Sequence, residues 1–277
     1  MEVITPKNKK STAKQLAKPV VAATANQSSD TKAPIRVELA NQDCLAFLKS
    51  LPAGSVDLAL LDPPYEISRE TGFKSVKTGV ERFAISMDFG TWDHNFPEIA
   101  EVISEVHRVL RKGGTAIVFY DLWKLSYLAH YFEAAKFKQL RLIEWLKTNP
   151  VPINSKRNYL TNSREVAVLA VKGGNPTFHS AYDNGIYRAP ICHEKGRFHP
   201  TQKPLGLISE LIAKHSNPGD LVLDCFSGSG TTAVAAGLSG RSFVGCELDK
   251  GYFEKSAERI KATLRSVGPV QFKLGDE

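Results

Sequence analysis

The stretch Leu221-Val222-Leu223-Asp224-Cys225-Phe226-Ser227-Gly228-Ser229-Gly230-Thr231-Thr232 joins an apolar run to a glycine-rich turn, and an alanine-rich segment, 233–236, follows it. The apolar run predicts a buried strand, and the alanines predict the start of a helix. Glycines at a strand-to-helix turn let a ligand approach the backbone closely and expose amide N–H groups at the helix N-terminus. This stretch therefore predicts an α/β fold with a nucleotide-like ligand at the turn.

The residues near the glycine loop limit the kind of nucleotide that it can bind. The loop lacks the lysine that follows the last glycine of a triphosphate-binding loop. Glu247 lies 17 residues beyond Gly230, at the end of the next predicted strand, where a carboxylate can bind both hydroxyls of a ribose. On these residues alone, a dinucleotide site stays open as the alternative.

From residue 35 onward, short β-branched runs alternate with helical patterns, which is typical of a mostly parallel sheet covered by helices. Seven strands are predicted, at 35–39, 56–61, 115–120, 140–146, 165–171, 221–225 and 242–246. Helices are predicted near 44–51, 97–110, 122–135, 204–216, 231–238 and 250–267, and the pair Gly113-Gly114 is expected to end the second of them. Only 30 residues follow Glu247, so the other strands must precede the glycine loop. The nucleotide-binding half is therefore last in sequence, which is a circularly permuted order.

The composition is that of a globular protein, with 42% hydrophobic and 23% charged residues. No apolar run approaches the ~20 residues that cross a bilayer, so no membrane association is expected. The net charge of +7 permits nucleic-acid binding without demonstrating it. More than half of that charge comes from residues 1–34, where six lysines oppose two acidic residues. We expect 1–34 to be a disordered basic tail and 35–277 to be one domain.

The four cysteines are scattered and form no CxxC pair, which predicts free thiols in a reducing compartment. The spacing of Cys192, His193 and His199 matches no standard metal site, so no metal is expected.

The tetrapeptide Asp62-Pro63-Pro64-Tyr65 follows the predicted strand 56–61, and ligands of open α/β sheets bind at the carboxyl ends of strands. It suits an aromatic amine, whose nitrogen lone pair is delocalised into the ring and is a poor nucleophile. If the Asp62 carboxylate and the Pro63 carbonyl accept the two N–H groups, the lone pair can point at a sulfonium methyl group while the growing positive charge is stabilised. The prolines fix the backbone, and Tyr65 offers a face on which a base can stack. Taken alone, the tetrapeptide could also be an ordinary turn, but its combination with the glycine loop favours the catalytic interpretation.

With both motifs present, the chain resembles the β-class DNA amino-methyltransferases over about residues 35–265. The resemblance extends to segments 41–44 and 145–150 and to His199-Pro200-Thr201-Gln202-Lys203-Pro204. It implies an α/β fold with a circularly permuted, Rossmann-like methyltransferase sheet of about seven strands. It also implies S-adenosylmethionine as cofactor and double-stranded DNA as substrate, with the target base flipped out of the duplex. In this family an Asp at the head of the tetrapeptide mostly marks adenine-N6 methylation, so N6 is expected and cytosine N4 is the alternative.

The resemblance also implies roles for single residues. Asp43 is expected to recognise the adenine of the cofactor, Glu247 to bind its ribose, and Thr201 and Lys203 to meet its methionine carboxylate. A helix cap or a solvated side chain is the simpler interpretation of Asp43, Thr201 and Lys203. The residues expected to bind the cofactor are Asp43, Cys44, Thr201, Lys203, Asp224, Phe226, Ser227, Gly228, Ser229, Gly230, Thr231, Thr232 and Glu247.

Two stretches, 66–95 and 172–199, fit neither the helical nor the strand period and are candidate functional loops. Residues 66–95 directly follow the tetrapeptide and are expected to form a flap that contacts DNA. Residues 172–198 hold the family's target-recognition position and, like the patch 147–157, are basic. Basic residues there are expected to contact phosphates or base edges. The residues expected to bind DNA are Lys147, Lys156, Arg157, Arg188, Lys195 and Arg197.

Other functions stay open at this point. They are cytosine-N4 methylation, methylation of a protein glutamine side chain, and DNA binding without catalysis. Asp62 and the permuted order speak against the second, and the intact glycine loop speaks against the third. We expect a bacterial, cytoplasmic, nucleoid-associated enzyme that forms a homodimer, with a cognate restriction enzyme as a candidate partner. The DNA target cannot be read from the residues, because base contacts depend on loop and groove geometry.

Overall fold

The computed structural model describes residues 34–64, 99–150, 160–192 and 197–275. Tyr65, the expected flap at 66–95, and the expected DNA-binding residues Lys156, Arg157 and Lys195 lie outside these ranges. The described elements all belong to the unit Ala33–Glu277.

The described strands form one nine-stranded sheet in the order β6-β4-β5-β3-β2-β7-β8-β1-β9. Neighbouring strands are parallel except where β5 pairs with β3 and β4, so β5 alone among them runs in the opposite direction. The strands are β1 (Ile35–Asn41), β2 (Val56–Leu61), β3 (Leu110–Tyr120), β4 (Lys138–Lys147), β5 (Arg164–Val171), β6 (Ile186–Ala189), β7 (Leu221–Asp224), β8 (Ser242–Glu247) and β9 (Val270–Leu274).

Six helices of the described ranges cover the two faces of the sheet, three on each face. The helices are α1 (Cys44–Ser50), α2 (Ile99–Val109), α3 (Leu125–Ala134), α4 (Leu205–His215), α5 (Thr231–Leu238) and α6 (Lys250–Leu264). Helices α1, α2 and α3 bury apolar side chains such as Phe47, Ile103 and Phe132 in one core. Helices α4, α5 and α6 form the other core, which includes Leu211 and Ile260. The fold is therefore a three-layer α/β sandwich, as expected.

Helix α5 lies buried between its neighbours from Thr231 to Gly237. Its small residues are needed because the helices approach closely, and a Cβ on Gly237 would lie 2.5 Å from the Leu264 side chain. Close packing of α5 places the glycine loop directly at the sheet edge.

All seven predicted strands are present, and two more extend the sheet. Strand β9 alternates apolar and polar residues, which is a strand signal that the predicted set omits. Strand β6 is only four residues long and lies within the stretch expected to be a recognition loop. The permuted, mostly parallel α/β sheet is confirmed.

The expected role of Gly113-Gly114 at a helix end is wrong. Helix α2 ends at Val109, and both glycines lie inside β3. They occupy a bulge, because Val56 pairs with Leu110 whereas Leu58 pairs with Thr115. Gly113 adopts φ +81 and its N–H donates to the carbonyls of Lys172 and Gly173 beyond β5. A glycine pair fits a bulge for the same conformational reason that it fits a helix end.

A search of the described helices finds none that is long and apolar enough to cross a membrane.

Candidate active site

One edge of the sheet gathers the acidic residues that the sequence singles out. Asp62 follows β2, Asp224 ends β7 and Glu247 ends β8. These three parallel strands lie side by side in the sheet, in the order β2-β7-β8. Strand β5 runs the other way, so its second residue, Glu165, also lies at this edge. The carboxyl ends of parallel strands are where open α/β sheets bind ligands.

The glycine loop folds against this edge in a conformation that favours glycine. Gly228 and Gly230 adopt φ values of +50 and +73. The N–H of Gly230 donates to the Ser227 carbonyl at 2.7 Å, which closes the turn before α5. A Cβ on Gly228 would lie 3.2 Å from the His199 imidazole, a contact tight enough that the imidazole would have to shift. Gly228 and Gly230 carry no side chains, which lets a ligand approach the backbone of the turn closely.

Glu247 holds the loop from the end of the neighbouring strand. Its two carboxylate oxygens accept the N–H groups of Gly228 at 2.7 Å and Asp249 at 2.9 Å. Burial raises the pKa of Glu247 above its ordinary value, although the two backbone N–H groups oppose this. A carboxylate has about four lone-pair positions, so two hydroxyls of a ribose can still bind to it.

The start of α5 is organised by polar contacts. The Oγ of Ser229 lies 3.0 Å from the Oγ1 of Thr231, and Arg259 donates to Thr231 and to the Ser229 carbonyl. The Oγ of Ser227 is buried without a hydrogen-bond partner among the described residues. An orphaned buried hydroxyl and a bare loop with positive φ angles together fit a polar ligand such as S-adenosylmethionine.

Asp224 lies beneath this loop, where its carboxylate accepts the Phe226 N–H at 3.0 Å. It is only 4% exposed. Burial raises the pKa of Asp224 to about 7, although hydrogen bonds from Thr232 and Phe226 oppose the shift. Asp224 therefore supports the loop from within, and Thr232 is buried beside it.

Asp43 is the N-cap of α1. Its Oδ1 accepts the N–H groups of Leu45 and Ala46, both at 3.0 Å. Asp43 is thus a helix cap, which is the simpler interpretation of this residue. Its contact with the cofactor adenine stays a prediction. The neighbouring Cys44 is buried, and burial raises the pKa of its thiol to about 12, so it stays uncharged. All four cysteines are free and buried.

Only one of the two carboxylate oxygens of Asp62 has a hydrogen-bond partner among the described residues. The Lys203 ammonium donates to Asp62 Oδ2, whereas Asp62 Oδ1 is buried without a hydrogen-bond partner among the described residues. Burial raises the pKa of Asp62 and Glu165 raises it further, whereas Lys203 lowers it, and the net direction is upward. Asp62 thus offers one buried acceptor atom at the sheet edge.

Lys203 is 7% exposed and also lies 3.1 Å from Glu165 Oε2. The expected contact of Lys203 with a methionine carboxylate therefore stays a prediction, and its observed partners are protein carboxylates. In the sequence, the only signal for Glu165 is that an acidic residue begins a predicted strand. The antiparallel direction that brings Glu165 to Asp62 is a property of the assembled sheet.

The segment before α4 approaches the glycine loop through His199, and Thr201 lies beside His199. The His199 ring packs edge-on against Tyr252 with centroids 4.5 Å apart, and its Nδ1 lies 3.2 Å from Thr201 Oγ1. Burial, aided by the nearby charges of Lys203 and Arg197, lowers the pKa of His199 to about 4. A neutral imidazole therefore faces Gly228 at neutral pH.

The described residues expected to bind DNA occupy different kinds of position. Arg188 is exposed on β6, the outermost strand on one side of the sheet. The Arg197 guanidinium donates to the carbonyls of Cys192, His199 and Pro200, which organises its own loop. Lys147 is 13% exposed and pairs with Glu165 at 2.9 Å. Their DNA contacts stay predictions, and the position of Lys147 favours a role inside the site.

The segment expected to recognise the target is anchored to the domain partly through an ion pair with α4. Lys214 of α4 pairs with Asp183 at 2.7 Å and lies over the ring of Tyr187 on β6. The Asp183 carboxylate also accepts the Gly185 N–H at 2.8 Å, which shapes the turn into β6. Part of this segment is thus a strand of the sheet, and Arg188 extends from that strand.

Comparisons with known proteins show which family the chain belongs to. The family model for N6 and N4 methyltransferases, described as DNA methylase, matches residues 56–258. The type II methyltransferase M2.MboI of Moraxella bovis is 32% identical over 78% of this chain and 85% of its own length. M2.DpnII of Streptococcus pneumoniae is 31% identical over 81% of this chain and 89% of its own length.

Solved structures show the same fold. The complex of M1.HpyAVI with S-adenosylmethionine matches with a TM-score of 0.61 and 27% identity, over 80% of this chain and 99% of that one. The cytosine-N4-specific PvuII DNA methyltransferase matches with a TM-score of 0.63 over 89% of this chain and 99% of that one, and its 18% identity supports the fold alone.

The fold and the site together define a nucleotide-binding transferase of the Rossmann-like class. The chain belongs to the DNA methylase family. It is a DNA amino-methyltransferase, and S-adenosylmethionine is its cofactor.

Proposed function

We propose that this chain transfers a methyl group from S-adenosylmethionine to the N6 amino group of adenine within a short sequence of duplex DNA. The observation that carries the proposal is the Asp62 carboxylate, which presents a buried acceptor atom beside the glycine loop. An acidic residue at this position accepts an N–H of the target amine and stabilises the positive charge that develops on its nitrogen.

The chain's own residues orient the amine. Asp62 Oδ1 accepts one N–H, and the carbonyl of Pro63, a buried residue, accepts the other. The nitrogen then becomes pyramidal and its lone pair leaves the ring system. Bound S-adenosylmethionine supplies an electrophilic methyl group on a sulfonium. The base must leave the duplex to reach Asp62, and Tyr65 is the proposed stacking partner for the flipped ring.

The cofactor would be held by the sheet edge and the loop. Glu247 would bind the ribose hydroxyls, and Asp43 and Phe226 would flank the adenine. Gly228 to Thr232 would surround the methionine end, where Ser227 offers its orphaned hydroxyl. Thr201 and Lys203 would meet the methionine carboxylate. The buried surroundings exclude water, which strengthens the electrostatic contacts of the reacting amine.

DNA would approach the same edge. Arg188 on β6 is the exposed cation proposed to contact the duplex, and residues 66–95 and 172–198 are the proposed flap and recognition segment. A homodimer, a cognate restriction enzyme and a nucleoid location in bacterial cytoplasm belong to the same proposal. Sedimentation of the protein with and without a DNA duplex tests the dimer.

The proposal is tested with purified protein, radiolabelled S-adenosylmethionine and DNA from a host without DNA methyltransferases. We expect N6-methyladenine in the digested nucleosides, and Asp62→Ala should lose at least about a thousandfold in rate, as loss of a charge-stabilising group does. Calorimetry should show that Asp62→Ala still binds the cofactor. N4-methylcytosine as the product would reject the adenine assignment, and undiminished activity of Asp62→Ala would reject the mechanism.

A further inference from the structure

Four mostly buried charges of alternating sign form a line that ends at Asp62. Lys203 donates to Asp62 and lies 3.1 Å from Glu165, and Lys147 lies 2.9 Å from the other oxygen of Glu165. The side chains are 7% exposed at Lys203, 13% at Lys147, and less than a quarter exposed at the two carboxylates. Two carboxylates and two ammonium groups thus balance, and Lys203 is shared between Asp62 and Glu165.

The sheet explains how these charges meet. Strands β4 and β5 are antiparallel with Trp145 opposite Glu165, so Lys147 at the end of β4 reaches the start of β5. The ammonium of Lys203 lies 5.0 Å from the centroid of the Phe119 ring, and that of Lys147 lies 5.5 Å from the centroid of the Trp145 ring. Each ammonium thus lies near an aromatic ring, and charges this little exposed to water interact strongly.

Other charged and titratable groups near Asp62 come from the adjoining elements. Asp224 ends β7 and repels Asp62, while Tyr120 ends β3 beside β2. His199 lies on the Lys203 segment, where Lys203 helps to keep it neutral. Glu165 and Lys203 remain the charges that act most strongly on Asp62 among the described residues.

We propose that Glu165 and Lys147 are positioning residues for methyl transfer: Glu165 takes a share of the Lys203 ammonium, Lys147 neutralises Glu165, and together they set how firmly Lys203 holds Asp62 as a carboxylate. This inference rests on the proposed role of Asp62 as the acceptor of the target amine. Neither Glu165 nor Lys147 contacts the substrate in this scheme.

The electrostatics agree with the geometry. Although burial opposes it, Lys203 and Lys147 hold the pKa of Glu165 below its ordinary value, so Glu165 is charged. That charge raises the pKa of Asp62, whereas Lys203 lowers it. Removal of Glu165 or Lys147 should therefore change the protonation of Asp62 in opposite directions.

The experiment measures single-turnover methyl incorporation against pH, with saturating radiolabelled S-adenosylmethionine and DNA from a host without DNA methyltransferases. In Glu165→Gln, the negative charge of Glu165 is gone and Lys203 no longer divides its charge with that residue, so the acid limb should move to lower pH by about one unit. In Lys147→Met, two carboxylates share one ammonium, so the limb should move to higher pH by a similar amount. The double variant keeps one carboxylate and one ammonium and should return the limb close to that of the wild type.

Control variants separate this role from general damage to the sheet. Glu144→Gln makes the same substitution on β4, where Glu144 pairs with the exposed Arg164, and it should leave the profile in place. Lys147→Arg keeps the charge and should also leave it in place. If Glu165→Gln fails to fold, the upward shift in Lys147→Met and its absence in Lys147→Arg still test the inference.

Shifts of the two single variants in the same direction, or no shift in either, would overturn the inference. A double variant that does not return towards the wild-type profile would overturn it as well. Total methyl incorporation is counted, so the outcome is independent of which base is modified. If Asp62→Ala is inactive while the profiles do not move, this inference fails and the proposed function stands; activity in Asp62→Ala means that the proposed function has failed.

Discussion

At the scale of single residues, the site depends on positions where backbone conformation and charge leave little choice. Gly228 combines a positive φ with a neighbour, His199, that crowds the position of a Cβ, and its N–H donates to Glu247. The positive φ and the close neighbour both favour glycine at this position. The choice of Asp at position 62 follows from the proposed reaction instead. Its buried Oδ1 has no hydrogen-bond partner among the described residues and can accept an N–H of the target amine.

Gly228→Ala should weaken S-adenosylmethionine binding by about tenfold, since its Cβ would press on the His199 imidazole and shift the glycine loop. A side chain in the left-handed backbone also costs roughly 1–2 kcal/mol, which lowers stability. Calorimetric titration measures this. Gly240→Ala is the matched control, because Gly240 has φ +76 but no atom within 4 Å of its Cβ position, in the turn before β8. It should lose stability but keep its affinity, and equal losses of affinity in both variants would contradict the assignment.

At the scale of elements, the recognition segment is held where β6 meets α4. Lys214, 20% exposed, pairs with Asp183 and Glu210, and Asp183 is 12% exposed. An ion pair this well buried leaves an uncompensated carboxylate when its partner is removed.

Lys214→Met should therefore lower the free energy of unfolding by roughly 1–3 kcal/mol, because the Asp183 carboxylate stays buried without its cation. Urea denaturation followed by circular dichroism provides the measurement. Lys49→Met removes a similar pair with Glu101, but both of those side chains are at least half exposed, so stability should hardly change. Equal effects of the two substitutions would show that the Lys214–Asp183 pair stabilises the fold no more than an exposed ion pair does.

The elements also show what a sequence can and cannot predict. Periodicity located all seven main strands and the permuted order, because short buried apolar runs such as 56–61 and 165–171 differ clearly from helical patterns. The short β6 escaped this reasoning because four residues carry no period. Motif chemistry identified Asp62 and the glycine loop. It missed Glu165 and the interior position of Lys147, because both depend on the antiparallel direction of β5, which only the assembled sheet reveals.

At the scale of the whole molecule, the acidic edge makes stability depend on pH. The pKa of Asp224 is about 7 in the folded chain, far above its ordinary value, because the carboxyl is buried. The folded state therefore binds this proton more tightly than the unfolded state does. Stability from this group is fully present below the ordinary Asp pKa and is lost as pH rises towards 7.

Asp224→Asn removes that dependence, so the difference in unfolding free energy between variant and wild type should grow in favour of the variant from about pH 5 to about pH 8. Denaturation at several pH values measures this difference. A constant difference for Asp224→Asn would mean that burial does not raise the pKa of Asp224.

The central claim is that the chain methylates adenine in a specific DNA sequence through Asp62. The most direct measurement is to express the protein in a bacterial host without DNA methyltransferases and to sequence the genome by a method sensitive to modified bases. We expect N6-methyladenine at nearly every copy of one short motif, and none in cells that express Asp62→Ala. Modified cytosine in place of adenine, or the same adenine marks with Asp62→Ala, would contradict it.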